Sequence, residues 1–153
     1  MKIDIDRAAD HDANVILDLQ RRAYRSEAVR YNDETLPPLL QTLDEILADF
    51  KKQIVLKAVV PGRIVGSVRA RVENGTCFIG RLIVDPDYQH RGIGESLMRR
   101  IEGWFRDADR FELFTGHKSK EALHLYHKLG YTEFRSKRLT THTMIFLEKS
   151  IRE

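Results

Sequence analysis

The stretch Arg81-Leu82-Ile83-Val84-Asp85-Pro86-Asp87-Tyr88-Gln89-His90-Arg91-Gly92-Ile93-Gly94-Glu95-Ser96-Leu97 decides how this chain folds. It begins inside Thr76 to Val84, which is apolar on both faces apart from Arg81, the pattern of a central, buried strand. Asp85-Pro86-Asp87 breaks that strand, and a helix is predicted from about Arg91 to Arg106, with Ile93, Leu97, Ile101 and Trp104 on one stripe. Gln89 to Gly94 therefore lies where a buried strand hands over to a helix. The first turn of a helix carries unsatisfied N–H groups and the positive end of the dipole, so it can hold an anion that reaches the backbone. Gly92 and Gly94 remove the side chains that would block that approach, and a pyrophosphate is the natural guest. A P-loop needs Lys-Ser or Lys-Thr after its glycines, which is missing here. A dinucleotide fingerprint needs a third glycine where Leu97 stands, although Glu112 lies near the distance of a ribose-binding acid. Glycines that serve only a turn and close packing are the remaining alternative.

Working outward, Ile3 and Ile5 alternate with Asp4 and Asp6 as a short strand, and Val15, Ile16, Leu19 and Ala23 fall at helical spacing between Asp10 and Arg25. From Ser26 to Gln41 the periodicity vanishes and Pro37-Pro38 appears, so a loop is expected, with room for a short helical turn. Thr42 with Glu45 forms a capping-box signature ahead of Leu43, Ile46, Leu47 and Phe50 on one helical face. Ile54 to Val60 and Ile64 to Val72 read as antiparallel strands around Pro61-Gly62, and Asn74-Gly75 turns the second into Thr76 to Val84. Phe111 to Thr115 is a strand, and Ser119 to Leu129 a helix stopped by Gly130. Tyr131 to Arg138 and Thr141 to Lys149 close the chain as a hairpin. The order is β-α-α-β-β-β-α-β-α-β-β, without repeat or linker.

The 153 residues suit one domain with one core. A net charge of +3, with Lys and Arg scattered among acids, shows no clustered basic footprint for nucleic acid. The single cysteine, Cys77, rules out an intramolecular disulfide and a multi-cysteine metal site, and its strand makes it an inert core residue. No metal is expected. The N-terminus lacks a signal-peptide core and no run is long and apolar enough to span a membrane, so a cytoplasmic location is expected. Arg69 and Arg71 share one strand face, expected to be solvated.

The stretch from Arg81 to Leu97 closely resembles the central motif of the GNAT superfamily of N-acetyltransferases. Its signature Q/R-x-x-G-x-G/A is matched at Gln89, Gly92 and Gly94. Downstream, Ala122-Leu123-His124-Leu125-Tyr126-His127-Lys128-Leu129-Gly130-Tyr131 resembles the family's second motif, a Leu-Tyr near a helix end followed by Leu-Gly-Phe or Leu-Gly-Tyr. Two motifs in the right order are far more specific than either alone. The resemblance implies an α/β (α+β) GNAT fold as a single domain over 1–153, with a mixed, mostly antiparallel sheet of about seven strands flanked by about four helices. It implies acetyl-CoA as cosubstrate and an amine, on a small molecule or a protein or peptide, as acceptor. A homodimer is compatible with it.

By the same resemblance, the strand ending Leu82-Ile83-Val84 splays from the strand at Phe111 to Thr115, and the pantetheine arm bonds to main chain of Leu82 and Val84. The pyrophosphate rests on backbone N–H groups of His90, Arg91, Gly92, Ile93, Gly94 and Glu95, with the Ser96 hydroxyl nearby. Tyr126 matches the general acid, and the Val84 N–H is the natural oxyanion donor. Two positions depart from the pattern. Ser119 stands where many relatives have Asn, and it could cap the helix. Thr76 to Val84 contains no carboxylate, which leaves the base open among Glu73, Glu27, Glu34, His117 and a water chain. Tyr24, Glu27, Tyr31, Asp33 and Glu34 offer aromatic and acidic groups suited to a cationic amine. Two other functions stay open: a non-catalytic acyl-CoA sensor, and a protein-interaction domain that uses the segment from Tyr24 to Gln41.

Overall fold

The computed structural model describes residues 2–151. The chain runs β1 (Asp4–Arg7), α1 (Ala13–Ala23), α2 (Arg25–Tyr31), α3 (Pro37–Leu40), α4 (Leu43–Lys52), β2 (Ile54–Val60), β3 (Arg63–Glu73), β4 (Thr76–Val84), α5 (Ile93–Trp104), β5 (Arg110–Gly116), α6 (Lys120–Lys128), β6 (Thr132–Arg138) and β7 (Thr143–Ser150). Short 3-10 turns lie at Asp10–Asp12 and Pro86–Tyr88. The strands form one seven-stranded sheet in the order β1-β2-β3-β4-β5-β7-β6. Every neighbouring pair is antiparallel except β4 with β5. β4 is thus central, as its two-sided apolar pattern indicates.

Apolar burial holds the layers together. Leu56, Val68, Ala70 and Cys77 from the sheet meet Leu97, Met98 and Ile101 of α5, with Tyr126 and Leu129 from the end of α6 in the same cluster. Gly66 makes the α5 contact close: a Cβ there would come within 3.0 Å of Leu97 and 3.1 Å of Ile93. A second cluster joins Ala13, Ile16 and Leu17 of α1 to Ile46 and Phe50 of α4 over Val55. The Thr42 capping box forms as predicted. The Glu45 amide donates to the Thr42 hydroxyl at 3.2 Å, and the Thr42 amide to the Glu45 carboxylate at 2.9 Å.

Several expectations need correction. The predicted loop from Ser26 to Gln41 contains two helices, α2 and α3, so the described residues form six α-helices around the sheet where about four were expected. α2 ends at Asn32, which takes a left-handed conformation, and α3 is a single turn that starts on Pro37. Arg69 is not on a solvated face. It is 2% exposed, donates to Asp49 at 3.0 Å and to the side-chain Oε1 of Gln20, and sits beneath α1 and α4. Burial pulls its basicity down to about 10, with the neighbouring Arg81 charge acting in the same direction. Arg71 is exposed and pairs with Glu73. Trp104, the last residue of α5, is 44% exposed, so the buried stripe of that helix ends at Ile101. On α1, Val15 faces outward while Leu17 and Gln20 are buried. Cys77 is fully buried, and desolvation raises its thiol to about 12. No described helix is long and apolar enough to cross a membrane.

Candidate active site

β4 and β5 pair over only three positions, Thr76 with Arg110, Cys77 with Phe111 and Phe78 with Glu112. Beyond these the two parallel strands part, and a cleft of about 910 Å³ opens between their C-terminal halves. An irregularity in β4 shapes one wall. Ser67 opposes Ile83 and Arg69 opposes Gly80, so Val68 of β3 faces both Arg81 and Leu82. Arg81 is the extra residue of this bulge, with φ of 51°, a left-handed conformation that costs a non-glycine residue about 1–2 kcal/mol. The bulge resets the alternation: Cys77 and Ile79 before it, and Leu82 and Val84 after it, all pack into the same core cluster.

The loop from β4 to α5 is fixed by Asp85. Its carboxylate is fully buried, takes Arg63 at 2.8 Å and Arg22 at 3.3 Å, and caps the Asp87 amide at 2.9 Å. Burial works to raise this carboxyl, but those hydrogen bonds outweigh it and hold the group below its ordinary value. The loop then delivers Gly92, at φ 79°, as the N-cap of α5. Ser96 is the first amide of the turn to reach a helical acceptor, the Gly92 carbonyl, so the N–H groups of Ile93, Gly94 and Glu95 point out of the helix end. Gly94 sits at the seam: a Cβ there would stand 3.5 Å from Leu125 of α6 and 3.8 Å from Val84 of β4. The Glu95 carboxylate would oppose an anion, but it is bound by Lys128 at 2.8 Å and Arg99 at 3.1 Å, which hold it in its charged form.

Tyr126 lines the cleft from α6 and is 7% exposed. Burial, followed by the charges of Tyr24 and Glu27, raises its phenol well above the ordinary tyrosine value, so the hydroxyl keeps its proton. The end of α6 explains its setting. The Tyr131 amide donates to the Tyr126 carbonyl at 3.0 Å, closing a Schellman turn through Gly130 at φ 98°. Tyr126 and Gly130-Tyr131 are thus two sides of one turn.

The other end of the cleft is built by the α1–α2 junction, α3 and the β6–β7 hairpin. Tyr24, Glu27, Tyr31, Leu36 and Pro37 face Leu139, His142 and Met144 across it. Ser119 donates to Glu27 at 2.8 Å and so accepts from the Tyr31 hydroxyl at 2.7 Å, while the Lys118 amide donates to Tyr31 at 3.0 Å. Arg30 also pairs with Glu27. A side chain at position 116 would collide with the Tyr31 hydroxyl, which makes glycine a requirement there. Tyr31 packs against His142 with centroids 4.9 Å apart and the rings tilted by 46°.

The structure gathers Leu82, Ile83, Val84, Gln89, His90, Gly92, Ile93, Gly94, Glu95, Ser119, Tyr126, Tyr24, Glu27 and Tyr31 around this one cleft. Other sequence candidates stand elsewhere. Arg91 lies over the Tyr88 ring and Ser96 is exposed on α5, and neither lines the cleft. Glu34 is exposed and paired with Arg25. Glu73 lies at the β3–β4 hairpin, the end of the sheet where β4 and β5 are still paired. The Nδ1 of His117 accepts from the Thr143 amide at 3.0 Å, tying β5 to β7. Asp33 accepts from Thr35 and Thr141, and these bonds keep its carboxyl below the ordinary range. Ser119 occupies the N-cap of α6 but does not cap it, because its hydroxyl serves Glu27 and Tyr31.

The family model for the acetyltransferase (GNAT) family matches residues 14–131. This chain belongs to the GNAT family. Solved GNAT structures share its fold at low sequence identity. The PaiA N-acetyltransferase of Thermoplasma acidophilum in complex with coenzyme A is 15% identical, with a TM-score of 0.85 over 98% of this chain and 99% of its own. The ribosomal-protein-S18-alanine N-acetyltransferase of Escherichia coli is 17% identical, with a TM-score of 0.83 over 99% and 96%. YncA, a putative acetyltransferase of Salmonella typhimurium with acetyl-CoA, is 20% identical, with a TM-score of 0.80 over 100% and 96%. A curated relative, UPF0157 protein YqkA of Bacillus subtilis (strain 168), is 26% identical over 119 residues, which are 78% of this chain and 34% of YqkA. The GNAT chain described here thus spans about a third of that relative's length.

Arg81, Lys120, His142 and Met144 of this GNAT chain line the cleft and are not among the sequence candidates. Only Arg81 carried a signal, as the single charge in an otherwise apolar strand. The others reach the cleft because α6 and the β6–β7 hairpin are folded against it. Among the described residues, no group of three or more His, Cys, Asp or Glu could hold a metal ion.

Proposed function

We propose that this GNAT domain is an N-acetyltransferase that moves the acetyl group of acetyl-CoA onto a primary amine by direct attack in a ternary complex. The observation that carries this reading is the parting of β4 from β5, with the free amides of α5 at one side of the opening and Tyr126 within it. The residues present fit the cosubstrate. The uncovered side of β4 at Leu82, Ile83 and Val84 offers main-chain bonds to an extended amide-bearing arm. The N–H groups of Ile93, Gly94 and Glu95 offer a seat for a pyrophosphate, with Gln89, His90 and Gly92 bounding it. That solved relatives of this fold hold coenzyme A or acetyl-CoA supports the same assignment here.

The chemistry then follows from the chain's own groups. The Val84 amide donates to the carbonyl oxygen as it gains charge. The neutral amine nitrogen bonds to the carbonyl carbon and the C–S bond breaks, giving an N-acetyl amide and a thiol. Tyr126 delivers its proton to the departing sulfur and is reprotonated from water. Glu27 is the one carboxylate among Glu27, Glu34 and Glu73 that faces the cleft, and we assign it the proton lost by the nitrogen. Ser119 and Tyr31 act through Glu27 by fixing its orientation.

The test is thiol release from acetyl-CoA against polyamines, aminoglycosides, amino acids and peptide N-termini. Turnover with at least one amine is expected. Tight coenzyme binding without thiol release for any acceptor would instead make the protein an acyl-CoA sensor.

A further inference from the structure

Arg81 is the one guanidinium in the cleft wall for which neither an ion pair nor a hydrogen bond is found among the described residues, and its Nε is buried without a partner. The nearby carboxylates are already engaged: Asp49 by Arg69, Glu27 by Arg30 and Ser119, and Asp85 by Arg22 and Arg63. The bulge explains why the side chain stands where it does. As the extra residue of β4, Arg81 leaves the alternation that sends Ile79 and Leu82 into the core, and its charge reaches Tyr24 and Arg69 on the α1 side of the sheet. That is the side on which Tyr24, Glu27 and Tyr31 form the end of the cleft. Tyr24 feels Arg81 and Glu27 at once, so a cation and an anion flank the same phenol. A guanidinium whose Nε is buried without a partner, beside the buried Arg69, is an unfavourable arrangement unless an anion completes it. Its planar fork matches a carboxylate.

We propose that the acceptor is an amine that carries its own carboxylate, an amino acid or a short peptide, with the carboxylate on Arg81 and the amine directed to Glu27. This deepens the N-acetyltransferase reading and rests on it. It disfavours polyamines, whose second cation would meet Arg81.

The experiment compares kcat/KM for the standard L-amino acids and for dipeptides with that for their C-terminal amides, in the wild type, Arg81→Met and Arg81→Lys. The wild type is expected to prefer the best free acid over its amide by about 100-fold, the preference to vanish in Arg81→Met, and part of it to return in Arg81→Lys. Coenzyme affinity, measured by calorimetry on each variant, is expected to stay within about threefold of wild type. Equal use of acid and amide by the wild type overturns the proposal without needing any variant to fold. So does weakened coenzyme binding with the acid preference intact, which would place Arg81 on a coenzyme phosphate. If no acceptor is turned over, the N-acetyltransferase reading fails, and a binding arm still decides on Arg81. Coenzyme-loaded wild type is titrated with N-acetyl amino acids and their amides; tighter binding of the acids supports the assignment, and equal or absent binding overturns it.

Discussion

Tyr126, a residue of the cleft wall, is held by its helix turn on one side and by the Tyr131 ring, 6.0 Å away, on the other. Replacement by Phe removes one oxygen and keeps the packing. Tyr126→Phe is therefore expected to lower kcat by about 100-fold, the lower end of what a positioned acid contributes, while coenzyme affinity changes little. Steady-state turnover set beside calorimetric Kd checks this, and unchanged turnover removes Tyr126 as the acid. The pH dependence has a definite sign. An acid must be protonated to act, and burial raises this phenol above its ordinary value of 10, so deprotonation of Tyr126 cannot cause a fall in rate below about pH 10. A kcat profile whose alkaline limb near pH 8 disappears in Tyr126→Phe would contradict that environment. Ser119 carries a related lesson at this scale. Sequence spacing could locate the helix start but not say that its hydroxyl bonds to Glu27, 92 positions away in the chain.

Two elements position the site, the β4–α5 connection and the bulged half of β4. In Gly94→Leu the new side chain points at Leu125 and Val84, filling the seam between α6 and β4. Coenzyme binding should be lost while the fold persists; retained affinity by calorimetry would remove the pyrophosphate from this helix end. Asp85→Asn strikes the loop upstream. It breaks a bond set shared with two half-exposed arginines, and a loss of about 2 kcal/mol is expected in urea unfolding. Because the Asp85 carboxyl lies below its unfolded value, its contribution is complete above about pH 4 and drains away as the medium is acidified. The wild type should therefore lose its margin over Asp85→Asn progressively as the pH falls below about 4. A margin that stays constant to pH 3 would show that the carboxylate charge is not what matters. At this scale the strands and the capped helices were legible, since alternation, Asn74-Gly75 and the Thr42 box are local signals. α2 and α3 were not, because a seven-residue helix and one turn beginning on Pro37 are too short to print a periodicity. The Arg69 face was misread for a different reason. Alternation places Arg69 and Arg71 on one side of β3, but only the packing of α1 and α4 determines which of them is covered.

At the scale of the molecule, the cleft divides the sheet into two blocks, β1 to β4 and β5 with β7 and β6, joined at one end by the three paired positions and covered by α5 and α6. A ligand that fills the gap binds both blocks and binds the unfolded chain not at all. At a hundredfold excess over its Kd, acetyl-CoA should add about 2.7 kcal/mol of stability, a rise in Tm of roughly 5–10 °C for a chain of this size. Scanning fluorimetry measures it, and a missing shift at saturating ligand would argue against a site that bridges the blocks.

The parting of β4 and β5 also bears on how this protein coexists with its neighbours in concentrated solution. Unpaired backbone along a strand invites a strand from another molecule, which is why exposed sheet margins are blunted in natural proteins. Here the uncovered length of β4 lies inside the sheet, walled by α5, α6 and the β6–β7 hairpin, and not along an outer margin. The fold thus places its unpaired strand backbone at the centre of the sheet, away from the outer edges at β1 and β6 where strands of other molecules meet it first.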